Sequence, residues 1–445
     1  MKKIILITIL VVFLVTLGMT LRAEEAAAEE AASGPAITGG ANFYWYTFFW
    51  NNTDFNQKDY EVDGKFVDGS ADNYNYSYGH GDLWMQADWA GSTVYVKVGA
   101  WGPFGMHPVF TTPVDQPARL LEGYVDIKKL LGPFTLRIGK WRLNYGEGLV
   151  AFDGGEDGTT GVQLSAAKEK WSLDLFYRKV QDNGGWNEMA FNATPHSQNP
   201  PGLADWNLWG AYATFNLNKF TLSPYFFYRA FGDDKPLWIG ADIKATLIQK
   251  LVVKAEFVKM FGDNAGLDYT GYALNTHADY TTAKGLNVGA GYFIASGDDT
   301  PDDTKNSLYT TTLENPLTYG MYKGWVGFGP AHMTGTAAGF ACLAPWEYLM
   351  SNLTVLNFHV AYPIKTVTLR LDFFKYDKHK LVEGYKDLGY EIAGLVTTNI
   401  KGIDCGATLG AWIPGDHFIK TLQKGDYPRY GGYIFLSKSF DFKLN

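Results

Sequence analysis

The sequence predicts an all-β protein: a transmembrane antiparallel up-and-down β-barrel of about 18 strands, with short periplasmic turns and long extracellular loops. Three observations predict it. Side chains alternate with a period of two over arms of about ten residues, the ~9–11 that a tilted strand needs to cross a bilayer. Connections alternate short and long along the chain. The composition is rich in aromatics and glycine, with no helix-length apolar run after the N-terminus.

The hairpin at residues 236–262 shows the pattern most clearly. Leu237, Ile239, Ala241, Ile243, Ala245 and Leu247 alternate with Trp238, Gly240, Asp242, Lys244 and Thr246. After the turn at 248–250, Leu251, Val253, Ala255 and Phe257 take one face and Val252, Lys254, Glu256 and Val258 the other. Successive strand side chains point to opposite faces. One face is therefore almost wholly apolar, while the other interleaves both signs of charge.

The totals agree. Of 445 residues, 28 are Tyr, 29 Phe, 14 Trp and 50 Gly, as many strands, many turns and aromatic girdles at two lipid–water interfaces require. A soluble carbohydrate-binding sandwich could share this composition, but it has no reason to alternate its connection lengths. Mean hydropathy is −0.14, which excludes a bundle of membrane helices but not a barrel, half of whose strand residues are polar. The formal charge of −8 falls by three, to −11, if Lys2, Lys3 and Arg22 leave with a leader. So acidic a chain argues against nucleic acid as a partner. Cys342 and Cys405 show no metal or redox spacing and read as two free thiols in preference to a disulfide.

In chain order, residues 1–23 read as a secretory signal: Lys2 and Lys3, an apolar run at 4–21, and Ala23 at the cleavage position. Ala26, Ala27 and Ala28 are alternative cleavage points, and an uncleaved anchor is the competing reading. Residues 24–35 are Ala/Glu-rich with no core face, a periplasmic lead-in. From 36 to 445 the chain reads as barrel. Short links fall at 90–92, 131–133, 168–170, 216–219, 248–250, 282–285, 364–366 and 401–402. Longer polar ones fall at 51–76, 102–116, 146–158, 181–204, 232–235, 262–269, 297–350, 377–387 and 414–428. An even strand number places both ends in the periplasm. The last arm sets Ile434, Leu436, Phe440, Phe442 and Leu444 on one face, a terminal strand suited to the barrel-assembly machinery.

Four short motifs resemble the alginate-export family of outer-membrane barrels. Residues 136–146 (Leu-Arg-Ile-Gly-Lys-Trp-Arg-Leu-Asn-Tyr-Gly) look like that family's G-[RK]-x-x-L-x-Y-G strand end. The Ala-Ser-Gly-Asp-Asp at 295–299 resembles its A-S-G-D-D strand end. Residues 387–391 and 412–416 resemble its paired C-terminal motifs. The resemblance implies an eighteen-stranded outer-membrane channel, either an exporter of an anionic polysaccharide or a porin. Trp141 stands where the family often has Gln, and a strongly arginine-lined lumen is not evident.

The polar faces predict which charges line the lumen. The positive candidates are Arg137, Arg178, Lys244, Lys254 and Arg370; the negative ones are Glu122, Asp126, Asp174, Asp242, Glu256, Asp372, Glu391 and Asp404. Charge rings set pore selectivity, and a polyanion exporter needs net positive charge at its constriction. This mixed set leans acidic, so small hydrophilic solutes or ions are the expected cargo, ahead of an alginate-like polymer. A structural barrel sheathing a partner protein is the second alternative. Beyond Gly139, strict alternation turns Lys140 and Arg142 toward lipid, so either the outer interface or a bulge intervenes. The longest connection, 297–350, carries Asp298, Asp299, Asp302 and Asp303, either hydrated loop acids or a cation site, and either a constriction or a lid.

No motif supplies enzymatic chemistry or a cofactor. The eight histidines lack H-x-x-x-H or H-E-x-x-H spacing, and no G-x-S-x-G elbow occurs. The expected partners are outer-membrane lipid, the assembly machinery and small solutes or ions; the sequence leaves the oligomeric state open.

Overall fold

A computed structural model describes residues 35–444 apart from 52–60, 63–64, 67–72, 90, 105–117, 153–157, 182–205, 249, 265, 301–303, 312–351, 382–383 and 422–427. The predicted leader, the lead-in up to residue 34, Cys342, Asp302 and Asp303 lie outside the described residues.

Eighteen long antiparallel strands close into one barrel. In chain order β1 to β9 are Ala36–Asn51, Asn73–Trp89, Ser92–Phe104, Arg119–Leu131, Phe134–Trp141, Thr159–Lys168, Trp171–Gln181, Trp206–Leu217 and Phe220–Phe231. Strands β10 to β18 are Asp234–Ile248, Leu251–Asn264, Tyr272–Thr281, Asn287–Ala295, Leu353–Ile364, Val367–Lys378, Asp387–Ile400, Ile403–Pro414 and Arg429–Leu444. Each pairs with its chain neighbours, and β1 also pairs with β18, from Ile37↔Leu444 to Asn51↔Tyr430, which closes the sheet. Closure removes both free edges, the condition a sheet must meet inside hydrocarbon.

The predicted alternation is what separates inside from outside. In the 236–262 hairpin Ile239, Ile243, Leu247 and Phe257 stand 48%, 43%, 55% and 49% exposed, whereas Trp238, Glu256 and Val258 are fully buried. The same parity runs around the barrel: Leu83 and Met85, Val94 and Val96, Leu369 and Leu371, Ile434 and Leu436 all face outward. So wide a belt of exposed large apolar side chains has to meet lipid rather than water. The short links all fall at one rim. At Lys401-Gly402 both residues have positive φ, 53° and 77°, the geometry of a two-residue turn that follows the strand twist.

Two expectations are refined. No bulge flips β5; the strand ends at Trp141 instead, at the long-loop rim. Lys140 keeps its outward parity and donates to the Leu120 carbonyl at 2.8 Å, while Arg142 turns back toward Glu122 at 3.6 Å. The connection expected at 232–235 is a two-residue turn, and Asp234 already begins β10.

Candidate functional site

Two outer connections fold into the barrel and cover the inner wall from β7 to β13. The first runs over residues 142–152. Tyr145 enters an aromatic cluster, its ring stacked on Phe176 at 5.6 Å and tilted against Tyr212 at 4.6 Å and Phe227 at 6.0 Å. Its hydroxyl donates to Asp174 at 3.1 Å, and burial pushes this phenol well above its ordinary range. The backbone then turns at Gly146, with φ of +64°, onto the Glu256 carboxyl. A Cβ at that position would stand 2.7 Å from Glu256 Oε1, so glycine is needed for the approach as well as for the dihedral.

Glu256 fixes this segment. Its Oε2 accepts the backbone N–H of Glu147 at 2.8 Å and of Leu149 at 3.2 Å; Oε1 accepts the Tyr225 hydroxyl at 2.8 Å. Glu147 in turn meets Lys254 at 3.0 Å and His277 at 3.8 Å. Leu143, Leu149, Val150 and Ala151 are buried in the barrel core, an apolar stretch that a solvated loop has no reason to carry.

The second insertion is residues 304–311, the described inner part of the long connection after β13. Residues 305–306 pair in parallel with 268–269. Ser296 Oγ donates to the Ser307 carbonyl at 2.7 Å, and the Trp238 indole to the Thr310 carbonyl at 2.7 Å. Tyr309 is 1% exposed and donates to the Leu149 carbonyl, so the two insertions meet in the bore. Of the four loop acids, Asp298 accepts the backbone N–H groups of Thr300 and Ser307, at 3.0 and 3.2 Å. Asp299 bonds Lys380 at 3.0 Å, which holds its carboxyl below the ordinary range. These two acids tie down the connection, and no cluster of metal-ligating side chains occurs among the described residues.

The thirteen charged residues predicted for the lumen sit in different surroundings. Arg178, Glu256, Asp372 and Glu391 are 0% exposed, beyond the reach of water in the bore. Arg178 stacks over Trp141 at 3.5 Å and donates to the Trp141 carbonyl at 2.9 Å; the Trp141 indole donates to Gln163 at 3.1 Å. Arg137 grips Asp126 with two bonds of 2.7 Å and lies 3.9 Å over the Tyr124 ring. Arg370 grips Asp372 at 2.7 and 2.9 Å. Asp174 and Asp242 accept tyrosine hydroxyls, from Tyr145 and Tyr212. Glu122 faces Arg142, Lys254 faces Glu147, and Asp404 accepts from Asn399 at 2.7 Å near the short-turn rim. Lys244 is exposed on the inner face.

The opposite wall carries a network that sequence reasoning missed. Asp82 accepts from Asn42 at 2.8 Å, from His80 at 2.8 Å and from Lys97 at 3.1 Å. Beside it the rings of Trp84, Tyr95 and Tyr124 stack across three strands at 6.1 and 5.0 Å. Inward parity and polar identity were the signals that could have found these residues. His359, for which the sequence shows no partner, reaches Asp279 at 2.9 Å and Asn287 at 3.0 Å. The arrangement is a bore narrowed from one side by buried, hydrogen-bonded insertions and lined on the other by a buried His80–Asp82 pair and half-buried polar and aromatic groups. Cys405 is a free, half-buried thiol.

No family profile matches the sequence, and no curated protein matches it. The architecture does have solved counterparts: it is an outer-membrane porin fold, a closed antiparallel barrel of eighteen strands. Similar structures include OccK2 (OpdF) of Pseudomonas aeruginosa, with a TM-score of 0.58 and 11% identity over 92% of this chain and 100% of that one. OccAB4 of Acinetobacter baumannii has a TM-score of 0.57 and 9% identity over 92% and 99%. OpdK of Pseudomonas aeruginosa, solved with vanillate, has 0.57 and 8% over 91% and 99%.

Proposed function

We propose that this protein is an outer-membrane channel for passive diffusion of small hydrophilic solutes or ions, with the passage constricted by residues 142–152 and 304–311. The observation that carries the reading is the meeting of these insertions, Tyr309 on the Leu149 carbonyl, inside a closed barrel. The fold shared with the Occ and Opd porins supports it.

Polymer export is less well supported, although the four alginate-export-like motifs raise it. An extended polyanion needs a wide bore with net positive charge. Here most inward cations are committed to carboxylates: Arg137 to Asp126, Arg370 to Asp372 and Lys254 to Glu147. Planar-bilayer recording of the purified barrel tests the proposal. Stepwise open-channel currents with a reversal potential on the cation-selective side are expected, and vanillate, present in the OpdK structure, is a first organic solute to try as a blocker. A barrel that inserts without conducting returns the sheath alternative.

A further inference from the structure

The outer wall between β10 and β11 carries a feature that transport does not use. Ala241 and Ala255 are diagonal neighbours on the lipid-facing side, since Ala241 pairs with Phe257 and Ile243 with Ala255. These small side chains lie among Ile239, Ile243, Phe257 and Phe261, and the difference in size leaves a groove of about 380 Å³. At its rim stands Lys259, which has outward parity between Phe257 and Phe261. A lysine on the lipid side of a barrel is destabilising in a depth-dependent way, most at the midplane and least near the interfaces.

Lys259 bends toward the long-loop rim, donates to the Thr270 carbonyl and lies 5.8 Å from the Tyr272 ring. An ammonium has three N–H groups, and this bond uses one. No carboxylate pairs with Lys259 among the described residues. Two further outward lysines near that rim have protein partners: Lys375 is paired with Asp377 and Asp387, and Lys140 donates to the Leu120 carbonyl. A cation facing the bilayer, without a protein counter-charge and beside a groove for hydrocarbon, has a complement in one molecule: a lipid with an anionic phosphate headgroup.

We infer that this wall binds one such lipid, its acyl chain in the Ala241–Ala255 groove and its phosphate on the Lys259 ammonium. The site depends on the barrel spanning a membrane and not on what the bore conducts. Native mass spectrometry of the detergent-solubilised full chain, titrated with dioleoylphosphatidylglycerol or dioleoylphosphatidylcholine, tests it. The first phosphatidylglycerol should bind about tenfold tighter than phosphatidylcholine, as a charge-assisted hydrogen bond allows. Lys259→Met should abolish that preference and Lys259→Arg should keep it. Ala255→Phe, which fills the groove from the lipid side, should weaken both lipids.

Equal binding of the two lipids by the wild type, or an unchanged preference in Lys259→Met, overturns the inference. Displacement of phosphatidylglycerol by inorganic phosphate, with Ala255→Phe having no effect, reduces the site to an ion contact and refutes the acyl groove. Efficient disulfide cross-linking of Ala241→Cys copies in vesicles would assign the surface to a second copy of the chain and refute it as well.

Discussion

Replacing Glu256 by Ala should release the 142–152 insertion and widen the channel. The side chain is fully buried and accepts three hydrogen bonds, two from the insertion's backbone and one from Tyr225. Each buried donor left without an acceptor costs about 1–3 kcal/mol. Water admitted to the site recovers part of this. A net loss of about 3 kcal/mol is therefore expected, which shifts the docked-to-undocked ratio by more than about a hundredfold. Packing of Leu143, Leu149 and Tyr145 still favours docking, so the segment should exchange between positions rather than leave altogether. Single-channel recording should show larger and noisier open currents in Glu256→Ala, with Glu256→Gln in between because its amide keeps one acceptor oxygen. Heat-modifiable migration on gels confirms that each variant barrel has folded. Folded Glu256→Ala channels with wild-type conductance and noise would refute the anchoring role.

Other perturbations have defined outcomes. Gly146→Ala forces a Cβ against Glu256 at a positive φ, and should mimic Glu256→Ala in conductance. Tyr309→Phe removes the bond to the Leu149 carbonyl and should raise open-channel noise, the missing bond being worth about 1 kcal/mol. Glu147→Gln removes a negative charge from the constriction while sparing the backbone bond to Glu256; its reversal potential in a salt gradient should move toward anion preference. His417, in the outer connection after β17, is 4% exposed and held down to about 4, chiefly by burial and further by Lys378. The folded state thus binds fewer protons than the unfolded one between about pH 6.5 and pH 4. The stability of that connection should be intact above 6.5 and fall as pH drops through this window. Limited proteolysis between residues 415 and 428 reads this out, and His417→Asn should flatten the dependence.

Much of the barrel was legible because a closed sheet in lipid imposes one rule on every strand. In the 236–262 hairpin a single choice of parity settles Ile243 and Lys244 together, and it sets Asp242, Lys244, Lys254 and Glu256 on the face opposite Ile243 and Phe257. Parity says nothing about depth of burial. Asp372 and Glu391 obey the same pattern as Lys244, yet they are sealed from water while Lys244 is open to it. The insertions were not legible from periodicity, since residues 142–152 and 304–311 form no long strand. One local signal was present: Leu149-Val150-Ala151 is an apolar run within an outer connection. Tyr309 gave no such sign, because its role depends on a partner 160 residues away in the chain.

The reading stands on water inside the barrel and lipid outside it, and two adjacent residues of β10 test that directly. With Cys405 and Cys342 replaced by Ser, single cysteines at Ile243 and Lys244 are reacted with a membrane-impermeant maleimide on reconstituted protein. The cysteine at 244 should label and the one at 243 should not, while a nitroxide at 243, but not at 244, should be relaxed by lipid-dissolved oxygen. Equal labelling of both, or labelling at 243 alone, would contradict the barrel's inside–outside assignment.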